Sequence, residues 1–135
     1  MEHHSPRPEL RGEWTSVLVV VSVLALEIAV GIGIVGLWSF LLATGRVPEV
    51  AAGDRAIWFH IAAEYLLGLT LVTAGLMLAF TEGPGARLLA GVAAGGLVYS
   101  TVTSAGYYAQ DDRWGPVVAF LVLALLGVAA IAALL

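Results

Sequence analysis

Four long apolar runs, parted only by short polar turns, leave this chain few ways to fold. The second of them, residues 56–80 (AIWFHIAAEYLLGLTLVTAGLMLAF), exceeds the roughly 20 residues that a helix needs to cross the hydrocarbon of a bilayer. In lipid each backbone N–H and C=O must find its partner within the protein, so runs of this kind become helices. The four spans are placed at about residues 15–42, 56–80, 86–109 and 117–135. With 60% of its residues hydrophobic and 12% charged, the chain stands far from a soluble domain, where about a quarter of residues are charged. The expected fold is all-α: one four-transmembrane-helix domain, connected up-down-up-down, behind a flexible polar tail over residues 1–13. His3 and His4 fall in that tail and are read as part of it.

The first run is about twice as long as the apolar core of a signal peptide, so it is expected to be retained as a span. It contains GIGIVG, residues 31–36, which spells the dinucleotide-binding fingerprint. That fingerprint needs a strand before it and a helix opening after it. Inside a membrane run, glycines instead let a neighbouring helix approach closely. Residues 44–55 form a charged loop in which Asp54 can cap the next helix, residues 81–85 (TEGPG) a tight turn, and residues 110–116 a second polar loop. Pro116 suits the first turn of the last helix, where its missing N–H is not needed. With this topology Trp14 marks one membrane surface and Trp38, Trp58 and Trp114 the other. Arg7, Arg11 and Arg87 then face Arg46, Arg55 and Arg113 across the bilayer, a near tie for the positive-inside rule. Both termini are placed in the cytoplasm and the chain in the cytoplasmic membrane.

Several function classes fall away. The chain has no Cys, hence no disulfide, thiolate metal site or Cys nucleophile. Its formal charge is −4 and its basic residues are scattered, so nucleic acid finds no electrostatic footprint. No motif calls for a cofactor, and redox chemistry would belong to a bound group or a partner subunit. The partners expected are the lipid bilayer itself and either another membrane protein or a second copy of the chain.

What remains is a small set of polar residues at membrane depth, where each ionisable group costs roughly 2.5–3.5 kcal/mol on insertion scales. His60 and Glu64 lie four residues apart on one helical face. In the third span Tyr99, Thr103 and Tyr107 repeat at the same spacing, with Ser100 and Ser104 beside them. The topology sets His60 and Glu64 level with Thr103 and Tyr107, so hydroxyls can donate to Glu64 and His60 can donate or accept. Glu27 is the third titratable group, about 10 Å further along the axis than Glu64. Three readings stand open for Glu27, His60 and Glu64: hydrogen-bonded glue between helices, a protonatable ligand pocket, or a metal site of two carboxylates and one imidazole. No serine near His60 forms a hydrolytic triad, and no catalytic residue is expected.

The pattern of His60, Glu64, Gly68 and Leu71, followed by Tyr99, Ser100, Ser104, Gly106, Tyr107 and Tyr108, resembles small four-helix bacterial membrane proteins of the DoxX-like type. That resemblance implies a membrane subunit associated with redox or stress-response partners. A membrane-embedded Glu in the first span, here Glu27, also resembles the small multidrug-resistance transporters. Two functions therefore remain: an accessory subunit or lipid- or quinone-like ligand-binding protein with a polar pocket, and a dimeric proton-coupled transporter using Glu27.

Overall fold

The computed structural model describes residues 8–81 and 83–135, and among them it is helical with no strand. The elements are α1 (Pro8–Ala43), α2 (Pro48–Ala51), α3 (Ala56–Phe80), α4 (Pro84–Gln110) and α5 (Trp114–Leu134). Four of them, all but α2, are long and apolar enough to cross a membrane. Their outward faces agree with a multi-pass membrane protein: Phe59 is 81% exposed and Leu125 70% in the isolated chain. Patches of this kind would be a liability in water and are ordinary in lipid.

Three of the helix ends close in the same way. At the end of α1, Gly45 takes φ +65° while its N–H bonds Leu42 O at 3.2 Å and the Arg46 N–H bonds Leu41 O at 2.9 Å. That pair of bonds is a Schellman closure, which needs a left-handed residue. Gly53 repeats it after α2, with φ +78° and an Asp54 N–H to Glu49 O bond of 2.9 Å. After α4 the left-handed residue is Asp112, φ 54°, with the Arg113 N–H on Tyr108 O at 3.1 Å; Asp is one of the few side chains that tolerate this region. The N-cap of α3 is Arg55 and not Asp54; Asp54, one residue earlier, accepts the Ala56 N–H on its Oδ1 at 2.8 Å.

Two further expectations change. The polar segment before Trp14 is not wholly a tail, since α1 begins at Pro8; proline is well suited to a first helical turn, and a helix continuing beyond lipid needs no apolar residues. The last helix begins at Trp114, which places Pro116 at its third residue, still within the first turn. Residues 1–7, with His3 and His4, lie outside the described residues, as does Glu82 of the TEGPG turn.

Packing divides the helices into two close pairs, α1 with α3 and α4 with α5, joined mainly through α3 and α4; α1 touches α4 and α5 only sparsely. Glycines make the first pair close. A Cβ on Gly31 would stand 2.5 Å from Gly68 O, and one on Gly75 would stand 2.9 Å from Leu24 O. In the second pair Gly127 meets Val98 and Ala94. The interior between the pairs is built from small residues: Leu71 and Ala74 of α3 pack with Ala90, Ala93 and Leu97 of α4, and Val23 of α1 packs with Ala94 and Ala130. Backbones that approach this closely gain the van der Waals contact that holds helices together in lipid.

Candidate functional site

Glu64 lies on the side of α3 that meets α4. Gly96 of α4 sits against Leu67, and about one turn further on each helix Ser100 Oγ donates to Glu64 Oε1 at 2.5 Å. Both residues are half-buried. A hydroxyl therefore does reach Glu64, but it comes from the serine beside the tyrosine row and not from the row itself.

The other expected members of the pocket go elsewhere. His60 is exposed and stands edge-on to the Trp38 ring of α1, with centroids 5.5 Å apart and planes at 76°. Nearby, Tyr65 and Ser39 share a hydrogen bond of 2.7 Å, a second tie between α3 and α1. Tyr99 is 76% exposed, and the Thr103 hydroxyl is turned back onto Tyr99 O of its own helix at 2.9 Å. The Tyr107 hydroxyl donates to Glu49 Oε1 of α2 at 3.3 Å. Beside it Tyr108 stacks on Phe120 of α5, with the Arg113 guanidinium 4.8 Å from its ring centroid. The expected polar face of Tyr99, Thr103 and Tyr107 is thus not the one that meets His60 and Glu64.

The reason lies in which side of α4 is small. Its buried residues are Ala86, Ala90, Ala93, Ala94, Leu97, Thr101 and Ala105, and that stripe turns the Tyr99 side outward. Sequence reasoning missed Glu49 and the Tyr65–Ser39 tie, and it ranked Ser100 behind its larger neighbours. The small-residue stripe was the signal that could have placed Ser100 inward.

Glu27 is different from all of these. It is 1% exposed, and neither of its carboxyl oxygens has a hydrogen-bond partner. One turn before it Val23 packs on Ala94 and Ala130; one and two turns after it Val30 and Ile34 pack on the Leu71–Leu97 cluster. Gly75 meets Leu24 and Ile28, and Gly31 meets Gly68 and Val72. Glu27 therefore stands level with residues 72–75 of α3, at least eight residues from Glu64, or about 12 Å along the axis. Burial there carries a cost that no hydrogen bond offsets. Glu27, His60 and Glu64 do not converge, and among the described residues no three His, Asp or Glu side chains group as ligands of a metal would.

A family model described as Domain of unknown function (DUF8058) matches residues 17–135. The chain belongs to this family. No curated protein and no solved structure matches it. In this DUF8058 chain each site residue lies inside the matched range, and those that reach another helix do so one at a time. Glu64 ties α3 to α4, His60 and Tyr65 tie α3 to α1, and Tyr107 ties α4 to α2. Glu27 is a lone carboxyl in the interior. Such an arrangement can brace helices against one another and, at Glu27, hold a proton.

Proposed function

We propose that the chain is a non-enzymatic, multi-pass protein of the cytoplasmic membrane that works as an accessory subunit of another membrane protein and can take up a lipid-like or quinone-like molecule. The observation that carries this reading is the dispersal of the polar side chains: Glu64, His60 and Tyr107 each serve a contact with a different neighbour. A bundle braced in this way is a scaffold whose apolar outer faces are left for association. The up-down-up-down connection is supported by the glycine contacts, in which Leu24 and Ile28 meet Gly75 while Gly31, further on, meets the earlier Gly68. The resemblance of residues 60–71 and 99–108 to DoxX-like proteins points the same way. The test is co-purification of the tagged chain in mild detergent. The expected result is a stoichiometric membrane-protein partner, retained in the Glu27→Gln variant. A chain recovered alone would overturn the reading.

Glu27 favours a second reading, a dimeric proton-coupled transporter of small molecules, because an unpartnered carboxyl inside a bundle is an unusual expense unless it titrates. Proton-dependent uptake or drug resistance that vanishes in Glu27→Gln would establish it; unchanged phenotype in that variant would remove it.

A further inference from the structure

At the end of the bundle that carries Trp14, α1 and α5 part. The space between them is a cleft of about 570 Å³ lined by Thr15, Ser16, Val19 and Val20 of α1, Arg87 of α4 and Ala133 of α5. Its lining is graded along α1. The hydroxyl residues come first, then Val19 and Val20; one turn deeper the buried Val23 packs on Ala94 and Ala130 and closes the bottom. Arg87, in the first turn of α4, is exposed and meets no carboxylate among the described residues. Among the described residues no acidic side chain lines the cleft. The seam above the floor is the sparsest packing between long helices of the bundle, together with that of α1 on α4.

We propose that this cleft holds one anionic phospholipid, with its phosphate against the Arg87 guanidinium and the upper part of one acyl chain between α1 and α5. A guanidinium presents paired donors that match phosphate oxygens. Trp14, 66% exposed at the same end, sets this level at the membrane–water interface. The cleft is widely open to the outside, so a head and the top of one chain would rest in it while the remainder stays in the bilayer. Preference for net negative charge follows from the described lining: Arg87 supplies a cation, and an ammonium group would meet no carboxylate among the described residues there. Ser16 Oγ, which donates to Gly12 O at 2.8 Å, shapes the wall and is not assigned as an anchor.

This inference rests on the membrane-spanning reading, and the two fail separately. The full chain, purified in detergent, is titrated with phosphatidylglycerol or phosphatidylcholine and the retained lipid is counted by native mass spectrometry. One phosphatidylglycerol per chain is expected, held about fivefold better than phosphatidylcholine, with that preference erased by Arg87→Gln. Arg113→Gln, which removes the cation from the Tyr108 ring at a different site, leaves the preference intact. Ala133→Phe, which fills the cleft, abolishes retention; should that variant not fold, Arg87→Gln decides, since its side chain is exposed. Equal retention of the two lipids, or retention unchanged in Arg87→Gln, overturns the site. Release of the chain from membranes by alkaline washing without detergent would instead overturn the membrane-spanning reading itself.

Discussion

Glu64 and Glu27 are both carboxyls set in apolar helices, yet their surroundings have little in common. Glu64 is half-buried and accepts a hydroxyl from the helix opposite; Glu27 is fully buried and accepts nothing. The difference is made by the facing helix and not by the helix that carries the acid. Opposite Glu64, α4 offers Ser100; around Glu27 the residues on the flanking turns pack on glycine and aliphatic residues. A polar residue in a membrane run thus declares that something unusual stands there, while its role is written in the residues across the interface.

The comparison depends first on α1 and α3 staying in register, and breaking that register gives the largest effect. Gly31→Val places a Cβ about on top of the Gly68 carbonyl, and no rotamer relieves a clash of backbone with Cβ. The variant is expected to lose about 3 kcal/mol, visible as a fall in melting temperature in detergent and in folded yield. Gly33→Ala, at a glycine with open space around it, should melt no lower than the parent.

Next, the two acids should respond to the same substitution with opposite signs. Glu27→Met removes an unsatisfied polar group and is expected to stabilise by about 1–3 kcal/mol. Glu64→Met removes an acceptor from Ser100 and is expected to destabilise by about 1 kcal/mol, the serine turning back onto its own helix. Thermal melts of both variants in one detergent check this, and equal signs would erase the distinction between the sites.

A double-mutant cycle sharpens it further. Glu64→Met with Ser100→Ala should show coupling of about 0.5–1.5 kcal/mol, whereas Glu27→Met with Ser100→Ala should be additive within about 0.5 kcal/mol. The smallest effect belongs to Tyr107→Phe. Its hydroxyl lies 3.3 Å from Glu49 and the side chain is 55% exposed, so a loss under about 0.5 kcal/mol is expected in the same melts.

Much of the fold was legible because its strongest signal is long-range: runs of some twenty apolar residues mean spanning helices whatever their packing. That Asp54 stands at the start of α3 was legible too, although the capping position itself falls on Arg55. The start of α1 at Pro8 was not, because a polar helix leaving the membrane and a polar coil have the same composition. The site was legible only by halves. Spacing told which residues share a side of a helix, and rise per residue told that Glu27 and Glu64 stand at different depths. Which side faces inward was hidden. In water the apolar side of a helix is the inner one, but lipid is apolar as well, so Tyr99 and Ser100 could not be sorted by hydropathy. The alanines at 86, 90, 93, 94 and 105 carried that information through size alone.

The unequal lengths of the helices bear on the membrane as much as on the protein. The apolar part of α1 covers 30 residues, Trp14–Ala43, against 21 for Trp114–Leu134, or about 45 Å against about 32 Å. A hydrocarbon layer of about 30 Å matches the shorter helix upright, and it matches the longer only at a steep tilt. Because α1 is locked to α3 by glycine contacts, it cannot lean freely. The mismatch therefore falls on the lipids along one flank, which must thicken or curve to cover it. In bilayers of graded acyl-chain length, the bundle should melt highest in the thicker ones.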